Sequence, residues 1–82
     1  MAKTKRAFTE AQAQELLSRV QGWGDVVFRR EHLIEASDLP PAVTSQIVDH
    51  LYTEGFTNAD EYDENENPVW FYLTTKAGGT ED

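Results

Sequence analysis

The spacing of apolar residues in this chain changes at Gly55. Before Gly55, apolar side chains recur every three or four residues, which is the period of an α-helix; after it, they follow an extended pattern. The helical stripes contain Ala13, Leu16, Leu17 and Val20, and then Val43, Ile47 and Leu51. A chain of 82 residues with this order is predicted to fold as one α+β domain, with helices first and a β-hairpin last.

Capping residues and prolines divide the helical part into three predicted helices. Thr9 and Gln12 have the spacing of a capping box, so the first helix should begin near Thr9. A short second helix is predicted over 30–37, and two successive prolines separate it from a third over 41–54. The β-branched stretch 25–28 predicts a short strand between the first two helices.

The C-terminal part predicts a hairpin with strands over 56–62 and 69–73 and a polar turn over 63–68. Alternation places Trp70 and Phe71 on opposite faces of it. The predicted core combines both parts of the chain: Leu16, Leu17, Val20, Leu33, Ile34, Val43, Ile47, Leu51, Phe56, Phe71 and Leu73.

Two stretches of the sequence resemble MarR-like transcriptional regulators. Residues 43–56, VTSQIVDHLYTEGF, resemble the recognition helix of that family and its exit, and residues 72–78, YLTTKAG, resemble the end of its wing. The resemblance implies a winged helix-turn-helix fold, with a helix-turn-helix pair over 33–54 and a wing over 57–69. Its recognition helix would be 41–54.

The predicted organisation is a flexible basic arm over 1–7, the winged-helix domain over 8–78 and an acidic tail over 79–82. The formal net charge is −8 and it is unevenly distributed. Residues 1–30 carry six cations and three anions, whereas residues 31–82 carry one cation and twelve anions. This asymmetry suggests a polyelectrolyte or charged protein partner, although a solvated acidic face or a salt-rich cytoplasm also accounts for it.

The leading hypothesis is a small regulator that binds double-stranded DNA and reads the major groove with the helix 41–54. No Arg or Lys occupies a predicted outward position of that helix, so guanine recognition by arginine is not expected from it. Base contacts are predicted for Thr44, Ser45 and Gln46. Contacts to the DNA backbone are predicted for Lys3, Lys5, Arg6, Arg29 and Arg30.

The alternative hypothesis starts from the wing, where a DNA-binding protein usually carries Arg or Lys. Here the wing is acidic, and each carboxylate within about 10 Å of a phosphate would oppose binding at 0.1 M salt. Its anions are Asp60, Glu61, Asp63, Glu64 and Glu66. The alternative is therefore an acidic winged-helix interaction module, such as a viral inhibitor, a DNA mimic or an adaptor, that binds a basic protein surface through this wing.

The sequence lacks the residues that other classes of function require. The chain has no cysteine, only two histidines, no nucleophile beside a base and no glycine-rich phosphate loop, so neither an enzyme, a metal site nor a cofactor is expected. No apolar run is long enough to cross a bilayer, so a cytoplasmic protein without a membrane partner is expected. The sequence also allows a homodimer, for which an exposed hairpin face carrying Trp70 is the candidate surface.

Overall fold

The computed structural model describes residues 7–24 and 26–77. The predicted arm up to Arg6 and the predicted tail over 79–82 lie outside the described residues. The elements are α1 (Glu10–Trp23), β1 (Phe28–Arg29), α2 (Arg30–Ala36), α3 (Pro41–Thr53), β2 (Thr57–Tyr62), β3 (Pro68–Leu73) and a 3₁₀ turn (Thr75–Ala77). In the described ranges, the three strands form one antiparallel sheet in the order β1-β3-β2, which confirms the α+β class.

Local signals set the ends of α1 and α3. The Thr9 hydroxyl accepts a hydrogen bond from the Gln12 amide at 3.2 Å, and Gln12 Oε1 accepts one from the Thr9 amide at 2.8 Å, which confirms the capping box. Helix α3 begins at Pro41, as predicted, and ends at Thr53, one residue earlier than expected. Gly55 then adopts φ 88°, a left-handed conformation that glycine reaches without a steric penalty.

Strand β1 lies later in the chain than its β-branched residues predicted. The strand covers Phe28 and Arg29, which pair with Phe71 and Trp70 of β3, whereas Val26 precedes the ladder and is exposed. The position of β1 is set by pairing with β3, because Phe28 in that register buries its ring against Phe71 at a centroid distance of 5.7 Å.

The inward face of α3 is rotated from the predicted stripe. Thr44, Ile47, Val48 and Leu51 are buried, while Val43 is only half-buried. The core prediction was also wrong for Ile34 and Phe56, which are half-buried. Phe8, Phe28 and Val48 fill the interior instead, together with eight predicted core residues: Leu16, Leu17, Val20, Leu33, Ile47, Leu51, Phe71 and Leu73.

The hairpin β2–β3 has an irregular register near its acidic residues. Ala59 pairs with Phe71 and Glu61 with Trp70, so Asp60 is an extra residue on β2. The Asp63 carboxylate orders the turn because it accepts hydrogen bonds from the amides of Asn65 and Asn67 at 2.8 and 3.0 Å.

Tyr62, at the end of β2, connects the hairpin to α3. Its hydroxyl lies 3.4 Å from that of Tyr52, and this hydrogen bond raises the pKa of Tyr52 above its ordinary value. The turn end of the hairpin is therefore joined to the helix by a polar contact.

Glu66 in the hairpin turn has φ 65°, which disfavours residues with a Cβ by roughly 1–2 kcal/mol. Asparagine tolerates this conformation better, so Glu66→Asn should raise the free energy of unfolding by about 0.5–1 kcal/mol. Glu66→Val should lower it, because β-branched residues are least tolerated there. Urea unfolding of the two variants checks the prediction, and equal midpoints would contradict it.

Candidate functional site

The outer face of α3 lies opposite the buried stripe and carries short or uncharged side chains, with one anion. Ala42, Asp49 and Thr53 are exposed, and Ser45 and Gln46 are half-buried. The core behind this face is closed by Ile47, Val48 and Leu51. The face is therefore a rigid, polar helical surface of the kind that can enter a groove or contact another macromolecule.

Arg30 of α2 brings a guanidinium group to this face. Its Nη1 donates to the Ser45 carbonyl oxygen at 3.0 Å and to Ser45 Oγ at 2.9 Å, and its Nη2 donates to Asp49 Oδ1 at 2.9 Å. The Arg30 side chain remains 31% exposed. The sequence hypothesis assigned Arg30 to the DNA backbone, whereas the structure places its guanidinium directly on α3.

The start of the described chain is held against the same helix. The Ala7 amide donates to Gln46 Oε1 at 2.9 Å, and the Phe8 ring lies 5.1 Å from the His50 ring. The three predicted phosphate-binding cations that precede Ala7 in the sequence lie outside the described residues: Lys3, Lys5 and Arg6.

The expectation that Thr44 faces outward was wrong. Thr44 is 0% exposed, and its hydroxyl donates to Ser37 Oγ at 2.9 Å, joining α3 to the turn after α2. A buried side chain committed to this bond cannot contact a base. Of the three predicted base-contacting residues, only Ser45 and Gln46 lie on the accessible side of α3.

Arg29 contacts Glu31 and Trp70. Its guanidinium pairs with Glu31 at 3.5 Å and lies 5.5 Å from the centroid of the Trp70 ring. Arg29 Nε is buried without a hydrogen-bond partner in the described part of the chain. Because the side chain is 43% exposed, a phosphate contact by its remaining donors stays a prediction.

The five carboxylates of the hairpin form a separate acidic surface. Asp60, Glu61, Asp63, Glu64 and Glu66 are all exposed. Within residues 7–24 and 26–77, ion pairs involve Arg19, Arg29 and Arg30, and none reaches the hairpin. The side chain of Lys76 instead donates to the Glu54 carbonyl oxygen at 2.6 Å. The hairpin anions are thus left without a neutralising cation there.

An open apolar cleft of about 340 Å³ lies beside β1 and was not predicted. Trp23, Val26, Val27, Phe28 and His32 line it, and the first three are notably exposed. The sequence signal was present in Val26 and Val27, but these residues were interpreted as strand. No cluster of three metal-ligating side chains and no helix long and apolar enough to span a membrane occurs in the described ranges.

No known protein family, curated protein or solved structure matches this chain. Two surfaces of the molecule are candidates for function: the outer face of α3 with Arg30, and the acidic hairpin.

Proposed function

We propose that this protein is a winged helix-turn-helix regulator of transcription that docks the outer face of α3 in the major groove of DNA. The observation that carries the proposal is the composition of that face, where Ser45 and Gln46 are accessible and Arg30 supplies a cation from α2. The major groove is about 12 Å wide and admits one α-helix. Hydroxyl, amide and guanidinium groups are the donors and acceptors that base edges require.

The order of the elements supports this proposal. One helix, a short strand, a pair of helices and then a hairpin follow one another, with β1 paired to the returning strand β3. In a winged helix, α2 and α3 would be the helix-turn-helix pair and β2–β3 would be the wing. Fold by itself does not determine function, so the proposal depends on the chemistry of the α3 face.

Gln46 can read a base while it accepts the hydrogen bond from Ala7. Its Oε1 accepts one hydrogen bond, from the Ala7 amide, and a carbonyl-type oxygen has a second lone pair. The amide group therefore retains an acceptor and a donor for the bidentate pattern of adenine. Lys3, Lys5, Arg6 and Arg29 would contact phosphates and set orientation without reading sequence.

Selection from random duplexes at low salt should therefore return an enriched motif. Gln46→Glu should lower the preference at one base pair by about 5-fold to 100-fold, because it removes the amide donor but keeps an oxygen for the Ala7 amide. The affinity for DNA should fall as the salt concentration rises, with the slope expected when about three to five phosphates are neutralised.

The control for this experiment is Gln14→Glu, since Gln14 is an exposed residue of α1 and the substitution adds the same charge. It should leave the motif unchanged. Absence of any enriched motif for the unsubstituted protein would refute direct readout by α3.

A second candidate function is carried by the hairpin. Its carboxylates are exposed and unpaired with any cation in the described chain, which is the arrangement expected of an acidic module that binds a basic protein surface. The two functions assign opposite consequences to the same charges, and the charge-reversal experiment in the Discussion separates them.

A further inference from the structure

We propose that Arg30 reads a guanine in the major groove, with Asp49 as the residue that positions its guanidinium. The inference rests on the proposed DNA-binding function and adds to it the identity of one recognised base pair, G·C. Helix α3 itself has no Arg or Lys, and the proposal explains how α2 supplies the cation that α3 lacks.

The guanidinium of Arg30 is held at two points of α3. Nη1 is bonded to both oxygens of Ser45, and Nη2 is bonded to Asp49 Oδ1. A planar group fixed by partners one helical turn apart has a defined orientation on the helix surface. Such fixation removes the entropy cost that a free arginine side chain incurs when it binds a base.

Arg30 retains N–H donors that are not bonded to α3. A guanidinium has five N–H groups, and Nε of Arg30 makes no hydrogen bond within the described residues. Nε–H and one N–H of Nη2 lie side by side along one edge of the planar group. Two parallel donors match the O6 and N7 acceptors of guanine, which is the commonest specific contact of arginine with DNA.

Asp49 also explains how an anion can be tolerated on a DNA-facing helix. An isolated carboxylate on this face would repel phosphate, whereas a carboxylate bonded to Arg30 is compensated locally. The pair should therefore act as one recognition unit. A simple phosphate contact by Arg30 would need only its positive charge and no particular orientation.

Selection from random duplexes with four proteins tests the proposal: the unsubstituted chain, Arg30→Lys, Asp49→Ala and the control Arg19→Lys. The unsubstituted protein should enrich a motif with a fixed G·C pair. Arg30→Lys keeps the charge but not the two-donor edge, so preference at that pair should fall at least about fivefold while other positions are retained. Arg19 pairs with Glu15 of α1 at 3.4 Å and donates to the Ala36 carbonyl oxygen at 2.8 Å, away from the outer face of α3, so Arg19→Lys should leave the motif unchanged.

Asp49→Ala provides the second readout. Preference for the G·C pair should fall because Arg30 loses the partner of its Nη2, while total affinity at low salt should rise because the positive charge of Arg30 is no longer compensated. A purely structural ion pair would not lower base preference and raise affinity together. Thermal melting of each variant confirms that the fold is intact.

An enriched motif whose G·C preference is unaffected by Arg30→Lys would overturn this inference and leave the proposed function standing. A motif lacking any fixed G·C pair would do the same. Failure to enrich any motif would overturn the proposed function, and the assignment of Arg30 with it.

Discussion

The Phe71→Ala protein is expected to lose about 3–5 kcal/mol of its free energy of unfolding. Phe71 is 1% exposed and lies on β3, the central strand of the sheet. Its ring stacks on Phe28 and meets Tyr52 of α3 edge-on at 6.0 Å, so its removal leaves a cavity where strand and helix join. Domains of this size have about 4–12 kcal/mol in total, so the variant should be largely unfolded on moderate heating.

Chemical denaturation with tryptophan fluorescence measures this loss. Val27→Ala is the control, because Val27 is 44% exposed and its truncation should change stability by no more than about 0.5 kcal/mol. Equal destabilisation by the two substitutions would show that the core is not centred on β3.

Reversing the charge of the hairpin should strengthen DNA binding at least tenfold at about 0.1 M salt, if the protein is a DNA-binding regulator. The variant carries lysine at Asp60, Glu61, Glu64 and Glu66. These side chains are exposed and lack ion pairs in the described chain, so their substitution removes repulsion and creates cations that release counterions from DNA. The salt dependence of binding should become steeper as well.

Asp63 is left unchanged in this variant because its carboxylate orders the turn through the Asn65 and Asn67 amides. The matched control pair is Glu64→Lys against Glu35→Lys, which change the net charge equally on the hairpin and on α2. If only the total charge matters, the two should be equivalent. If position matters, Glu64→Lys should have the larger effect on DNA affinity.

The same variant separates the two proposed functions. A hairpin that docks on a basic protein surface should lose its partner when its charges are reversed, since the electrostatic attraction changes sign. Loss of the biological effect together with gained DNA affinity would replace the regulator proposal with the acidic interaction module.

Features governed by neighbouring residues were predictable from the sequence. The capping box of Thr9 and Gln12, the start of α3 at Pro41 and the turn at Gly55 each depend on contacts within a few residues. The alternation of β3 was equally local, and Phe71 and Leu73 are buried as expected. Such signals act through backbone hydrogen bonding and allowed dihedral angles, which short segments already specify.

Features governed by long-range packing were not predictable in this way. Thr44 was assigned to the surface because it is polar, but Ser37 gives its hydroxyl a partner inside. Arg30 and Asp49 are 19 residues apart, and opposite charge was the only sequence signal that linked them. The burial of Phe28 likewise depends on its register with Phe71, which no local pattern reveals.

The extra residue Asp60 has a consequence for self-association. β2 is an outer strand of the sheet, and unpaired backbone groups on an outer strand invite another chain to add to it. The irregular ladder at Asp60 and the charged neighbour Glu61 interrupt that template, while the opposite outer strand, β1, is only two residues long. Neither edge strand is therefore well suited to intermolecular β-pairing. The acidic residues of the hairpin disfavour aggregation, whatever partner the protein binds.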